Sequence, residues 1–365
     1  MQKLIVLATL LAILVGCATT APSPAPPAAE KAKPAAETKP APKAKEAEAK
    51  PALKKEDGIA KLKVVYTILA PGVVPLWIAF DKGLFKKNDL DVELEFSNNT
   101  AAAAAALAAG KYQFGTMSGD LPVKLTLGGT PAVLLSVASN ITDFLLYSKP
   151  DLTKPQDLKG KTVGVTKFGT GTDWAARAAL RKFGLEPDRD YTVIQTGGWP
   201  ESIAAVVAGG VDAATVGAGA GSPAARKAGL TQLLDMATLD IPFAQNGIGV
   251  TKDYVAKNED IVRRFMRSYV EAIALAKNDK ALTKQTMRAY QKTEDDEILE
   301  IGYEWVMRHF KPAPYPSPVA LQQAVNTVAL EDERAKSHKP EEFADVRFIK
   351  ELEDSGFIKS LYDKK

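Results

Sequence analysis

The chain has 365 residues, a formal net charge of +3 and a single cysteine. So small a charge, with bases mixed among acids throughout, leaves no electrostatic footprint for nucleic acid, and no basic–aromatic interleaving of a single-strand binder is visible. One cysteine, Cys17, allows neither a disulfide framework nor a thiol metal site.

In chain order, Met1-Gln2-Lys3 supplies a basic start, and Leu4 to Val15 is an apolar stretch too short to span a bilayer. It ends in Leu14-Val15-Gly16-Cys17, the pattern of a bacterial lipobox, in which the cysteine becomes the lipid-modified N-terminus. Residues 1–17 are therefore expected to be a lipoprotein signal peptide, with Cys17 anchoring the mature chain to a membrane. Residues 18–60 are built from Ala, Pro, Lys and Glu with almost nothing to bury. Such a segment is expected to stay disordered, and at about 3.1 Å per residue it would reach on the order of 100 Å as a tether. After residue 60 no apolar run has transmembrane length. The body that remains, about 300 residues, is large enough for two domains.

The body alternates. Residues 62–69 read as a buried strand followed by a Pro71-Gly72 turn, 75–85 as a helix ending at Gly83, and 90–96 as an alternating strand. Asn98-Asn99-Thr100 caps an alanine helix that stops at Gly110. Strand 112–117, a Ser118-Gly119-Asp120 turn, helix 121–127 and strand 132–139 complete a βαβαβαβ run, the signature of a parallel sheet with helices on both faces. A strand at 144–149 opens a second alternation: strand 162–166, helix 173–183, strand 191–196, helix 200–208, strand 212–217, helix 222–228 and strand 231–236. Residues 247–251 offer one more strand. Helices then dominate, led by 261–276, where Ile261, Val262, Phe265, Met266, Tyr269, Val270 and Ile273 form one apolar stripe. Two α/β lobes and a helical tail imply a chain that returns to its first lobe.

The stretch KTVGVTKFGTGTDWAARAAL at 161–180 joins a strand to a glycine-rich turn and a helix N-terminus, a place suited to an anion or a strongly polar group. It is not a phosphate loop: seven residues into GVTKFGT stands Thr170 instead of Lys. Nor is it a dinucleotide fingerprint, because Trp174 occupies the third glycine position.

The runs GVVPLWIAFDKGLFKKNDLDVEL, AAAALAAGKYQFGTMSGD, DLKGKTVGVTKFGTGTDWAARAAL and NGIGVTKDYVAKNEDIVRRFMRSYVEAIA, in that order, resemble the periplasmic solute-binding lipoproteins of ABC importers. The branch is the one that includes nitrate, sulfonate, taurine and thiamine-pyrimidine binders. The resemblance implies an α/β, two-lobed type II periplasmic-binding-protein fold with a helical C-terminal tail. Lobe one would comprise 61–143 plus 245–365 and lobe two 144–242, with crossovers near 140–150 and 237–247 and a ligand cleft between the lobes. It also implies an extracytoplasmic, lipid-anchored receptor that hands a small solute to an ABC permease and its ATPase, with no cofactor and no metal.

Ligands of open α/β sheets sit outside the carboxyl ends of strands. In lobe one these positions are Gly72, Val73, Asn99, Thr100, Ser118, Gly119 and Asp120. In lobe two they are Phe168, Thr170, Gly171, Thr172, Asp173, Trp199 and Gly217. Each has a plainer role available: Thr172 can cap its helix, as can Ser118 and Asp120, and Trp77 reads as core. Basic residues are scarce there, so the expected ligand has a carboxylate, sulfonate or polar heterocyclic end on the glycine loop and an apolar or aromatic body beside Phe168 and Trp199. The competing reading is an enzyme of the same fold, such as the pyrimidine-precursor synthases. It needs an active-site histidine, and the chain offers only His309 and His338, both in the tail. A sensor docked on a membrane kinase would use the same cleft.

Overall fold

The computed structural model describes residues 58–218 and 221–363. Cys17, the signal peptide and nearly all of the tether lie outside the described residues. The first unit runs β1 (Ala60–Tyr66), α1 (Val74–Asp81), α2 (Leu84–Lys87), β2 (Leu90–Phe96), α3 (Thr100–Ala108), β3 (Phe114–Met117), α4 (Asp120–Leu127) and β4 (Ala132–Ser136). Gly83, at φ 66°, takes the left-handed conformation that splits the expected single helix into α1 and α2. Every residue of α1 from Val74 to Ala79 is buried, so its sequence is apolar on all sides.

The chain then crosses over through β5 (Ser139–Ile141) and enters a second sheet at β6 (Phe144–Ser148). That sheet is completed by β7 (Thr162–Val165), α5 (Gly171–Arg181), β8 (Thr192–Gln195), α6 (Trp199–Val207), β9 (Ala213–Gly217), α7 (Gly221–Lys227) and β10 (Thr231–Asp235). A second crossover, β11 (Pro242–Gln245), pairs antiparallel with β5 through Ile141↔Pro242 and Ser139↔Gln245. The chain returns to the first sheet as β12 (Gly247–Thr251).

The strand orders are β2-β1-β3-β12-β4 and β10-β6-β9-β7-β8. The expectation of parallel sheets is corrected here. β12 runs antiparallel to β3 and β4, and β6 runs antiparallel to β9 and β10. Both are the strands by which the chain enters a sheet after a crossover. Arriving from the other lobe instead of through a covering helix, they are free of the right-handed crossover that makes βαβ neighbours parallel. The expected strand 132–139 is also interrupted: β4 ends at Ser136 and the crossover strand begins at Ser139.

The tail is α8 (Lys252–Lys257), α9 (Glu259–Asn278), α10 (Lys280–Gln291), α11 (Asp296–His309), α12 (Pro318–Val328), α13 (Arg347–Asp354) and α14 (Phe357–Ser360). Every residue of the α9 stripe is buried, and it packs with α1 onto one face of the first sheet. Phe265 stacks on Phe114 at 4.0 Å between ring centres, and Trp77 on Tyr290 of α10 at 4.6 Å. Removing either buried ring costs about 3–5 kcal/mol. α12 covers the opposite face with Ala320, Leu321, Val325 and Val328. The returning tail therefore seals the first sheet from both sides and carries α11 to the junction between the sheets, where α7 meets it through Arg226–Glu297 at 2.6 Å and the Lys227–Asp295 pair.

Candidate functional site

A cavity of about 200 Å³ lies between the two sheets, against the crossovers. The first lobe supplies Ile68, Leu69, Ala70, Pro71, Gly72 and Ser118; the second supplies Gly171, Trp199, Gly217 and Ala218. The crossovers add Asp143, Phe144, Phe243, Gln245 and Asn246, and α11 adds Trp305. Its aromatic walls are Phe144, Trp199, Phe243 and Trp305. Asp143 is the only charged side chain on them among the described residues.

Local chain geometry sets these walls. Trp199 opens α6 and lies across Gly217 at the end of β9; a Cβ on Gly217 would meet the indole at 2.2 Å, so only glycine lets the ring lie there. Gly72 is similarly pressed by Asn246, whose amide would stand 2.4 Å from a Cβ. Asn246 itself has φ 50°, a left-handed conformation that asparagine accepts more readily than most residues. The N-termini of α5 and α6 both reach the cavity, α5 through Gly171 and α6 through Trp199.

Asp143 is the centre of the polar chemistry. Trp305 Nε1–H donates to its carboxylate. The Gln245 amide also approaches the carboxyl, but its enclosed nitrogen completes no well-formed hydrogen bond. Burial raises the Asp143 pKa above the ordinary carboxylate value, opposed by Gln245 and Trp305. Behind Trp305, His309 stacks on the indole at 4.6 Å and its Nδ1 lies 2.9 Å from Ser139 Oγ. Burial pushes His309 down to about 4, so the ring is neutral at pH 7. The Ser139 hydroxyl also lies 2.9 Å from the Ile141 carbonyl, and Ser139 is 3% exposed, so the pair offers no accessible nucleophile.

Five of the residues expected from strand ends line the cavity: Gly72, Ser118, Gly171, Trp199 and Gly217. The others stand elsewhere. Val73 is buried in the core behind Gly72. Asn99 caps α3 by accepting from Ala102 N–H at 3.0 Å, and Thr100 borders a small crevice beneath that helix. Gly119 donates to the Ala244 carbonyl at 3.0 Å, tying the turn to the second crossover. Asp120 accepts from the Ser118 hydroxyl and pairs with Lys124 at 3.5 Å.

The glycine loop largely binds itself. Asp173 is turned inward and accepts from Gly169 N–H at 2.9 Å and from Arg177 at 2.6 Å. Phe168 N–H donates to Gln195, while the Phe168 ring stays 52% exposed and does not line the cavity. Thr166, Thr170 and Thr172 join hydroxyls at 2.7 to 3.1 Å, and Thr170, not Thr172, stands at the N-cap of α5. The loop's polar side chains thus serve its own backbone and one another, and of the turn only Gly171 lines the cavity.

Sequence reasoning missed Asp143, Phe144, Phe243, Gln245, Asn246 and Trp305. All but Trp305 lie on the two segments read as crossovers, which must border any space between the lobes, so that signal was available. Trp305 had none: it reaches the cavity only through the packing of the tail.

Several known proteins are similar to this chain. The riboflavin-binding protein RibY of Chloroflexus aurantiacus is 28% identical over 292 residues, 77% of each chain. A putative binding protein of Brucella abortus is 32% identical over 118 residues, 32% of this chain and 36% of its own. Among solved structures, the periplasmic aliphatic sulphonate-binding protein SsuA of Escherichia coli superposes with a TM-score of 0.62 at 19% identity, covering 79% of this chain and 96% of its own. The periplasmic nitrate-binding protein NrtA of Synechocystis gives 0.60 at 16% identity, covering 81% and 89%. The two-sheet architecture with paired crossovers is therefore the periplasmic-binding-protein fold, and these structural neighbours are binding proteins, not enzymes. Residues 70–281, which carry both sheets and both crossovers past β1, match the family model described as "NMT1/THI5 like", and the chain belongs to that family.

Proposed function

We propose that this protein is the extracytoplasmic receptor of an ABC importer, without enzymatic activity, and that it captures a flat, uncharged heterocycle bearing a ring N–H. The observation that carries the reading is the composition of the cavity wall: four aromatic side chains, with Asp143 as its only charged group among the described residues. Aromatic faces favour a planar π-system. A lone acid repels nitrate, sulfonate and carboxylate groups and favours a hydrogen-bond donor. The helix N-terminus at Gly171 suits a ring carbonyl. A ring edge with N–H beside C=O satisfies both groups. The likeness to a riboflavin-binding protein supports the same class, whereas the sulfonate and nitrate binders share the fold without an argument for their ligands here.

Thermal-shift and calorimetric titration with riboflavin, thymine, taurine and nitrate tests this. Riboflavin or thymine is expected to raise the melting temperature by several degrees while taurine and nitrate leave it unchanged. Stabilisation by taurine or nitrate with both heterocycles inert would overturn the reading. Within the same proposal, Cys17 carries the membrane lipid and the tether lets the loaded body reach its permease. Cys17→Ser is then expected to move the protein from the membrane to the soluble fraction, and continued membrane association would count against the anchor.

A further inference from the structure

A second cavity, also of about 200 Å³, adjoins the first. Asp143, Ala218 and Trp305 line both. The two are divided along β6: Phe144 faces the first and Leu145 the second, because successive strand residues point to opposite sides. Their chemistry differs. Where the first is walled by aromatic rings, the second is walled by Ser222 and Gln232 and by charges of both signs, Arg226 and Arg308 against Asp235 and Glu304. Arg226 is already paired with Glu297 at 2.6 Å, so no uncompensated cationic pair stands ready for a phosphate or a sulfonate. Gln232 Oε1 accepts from the Tyr147 hydroxyl at 3.1 Å, which leaves its amide nitrogen to donate.

We infer that the two cavities form one bipartite site, in which a flat ring system occupies the first and a neutral polyhydroxylated chain attached to it occupies the second. Mixed donors and acceptors, two guanidiniums among three carboxylates once Asp143 is included, match hydroxyls, each of which both donates and accepts. The chain crosses where Asp143, Ala218 and Trp305 are common to both spaces. Binding at the junction also spans the lobes, since Ser222, Arg226 and Gln232 belong to the second sheet unit while Glu304 and Arg308 come from α11. The inference rests on the flat-heterocycle reading and adds to it the class of substituent the ring must carry.

Calorimetric titration of the full chain with riboflavin and with lumiflavin, the same ring system with a methyl group in place of the polyhydroxylated chain, tests it. Riboflavin is expected to bind at least tenfold more tightly. Ala237→Phe, which fills the second cavity from its wall, is expected to bring riboflavin down to the lumiflavin affinity and leave lumiflavin unchanged. Equal affinities in the unmodified protein, or undiminished riboflavin binding in Ala237→Phe, would overturn the second subsite while leaving the ring reading intact. Should Ala237→Phe weaken both ligands, the exposed Arg308→Ala decides: selective loss of riboflavin affinity supports the subsite, and equal loss or none overturns it. Binding of neither compound overturns the ring reading, and the bipartite site with it.

Discussion

Gly171→Leu is expected to abolish ligand-induced stabilisation while the unliganded protein still folds. Gly171 is the first residue of α5, and a Cβ there would lie 3.3 Å from Phe144 Cζ and 3.7 Å from Phe243 Cζ. The added side chain therefore projects between two of the aromatic walls and takes up much of a cavity of about 200 Å³. Backbone strain is not introduced, because Gly171 is not among the residues at positive φ. The nearest atoms are ring edges bordering free volume, so the side chain can be accommodated without disturbing the core. A ligand at a hundred times its Kd stabilises by about 2.7 kcal/mol. For a body of this size that is roughly 4 °C, and all of it should vanish in the variant. Phe168→Ala, three residues earlier on a ring that faces solvent, should keep the full shift. Unchanged stabilisation in Gly171→Leu would place the ligand outside this cavity, and a lost shift in Phe168→Ala would return the outer loop to the site.

The contrast between these two residues shows how far the sequence could be read. Strand periodicity and the rule that ligands collect at strand carboxyl ends located Gly72, Ser118, Gly171, Trp199 and Gly217, all of which line the cavity. The same rule pointed equally to Asn99, Thr172 and Asp173, whose side chains serve the backbone. Asn, Thr and Asp at a turn look alike whether they cap a helix or meet a ligand, because both uses need the same short polar side chain. The α9 stripe was legible because seven apolar residues repeat at one period. Trp305 was not, since an aromatic on an amphipathic helix gives no sign of which neighbour it will meet. Antiparallel β6 and β12 were hidden for a related reason: strand direction follows from where the chain has come from, and composition does not record that.

Asp143→Asn is expected to make the unliganded protein more stable at neutral pH and to weaken ligand binding at least tenfold. Asp143 is half-buried, and desolvation raises its pKa in the folded state above the 3.8 of a free carboxyl, with the like charge of Asp235 adding to the rise. Between the unfolded and the folded value the folded chain holds a proton that the unfolded chain has released. Stability therefore falls as pH rises through that window, and the whole penalty is present above it. The amide carries no charge and removes the penalty, so the variant should melt above the parent at pH 7. The two should converge as pH drops below about 4, where the carboxyl is protonated in both states. Trp305 Nε1–H can still donate to the amide oxygen, so the wall is retained. A ligand N–H, however, loses a carboxylate acceptor, and hydrogen bonds to charged groups are worth about 1.5–3 kcal/mol, roughly tenfold to a hundredfold in affinity. Melting curves across pH 3 to 8, with and without riboflavin, measure both effects. A variant that gains stability and binds as well as the parent would remove Asp143 from ligand recognition. One that binds poorly without any pH-dependent gain would mean that the carboxyl is already satisfied. A desolvated acid that costs stability, and whose protein partners are an indole, its own backbone N–H and an incompletely bonded amide, is the arrangement expected of a group held ready for a ligand's donor.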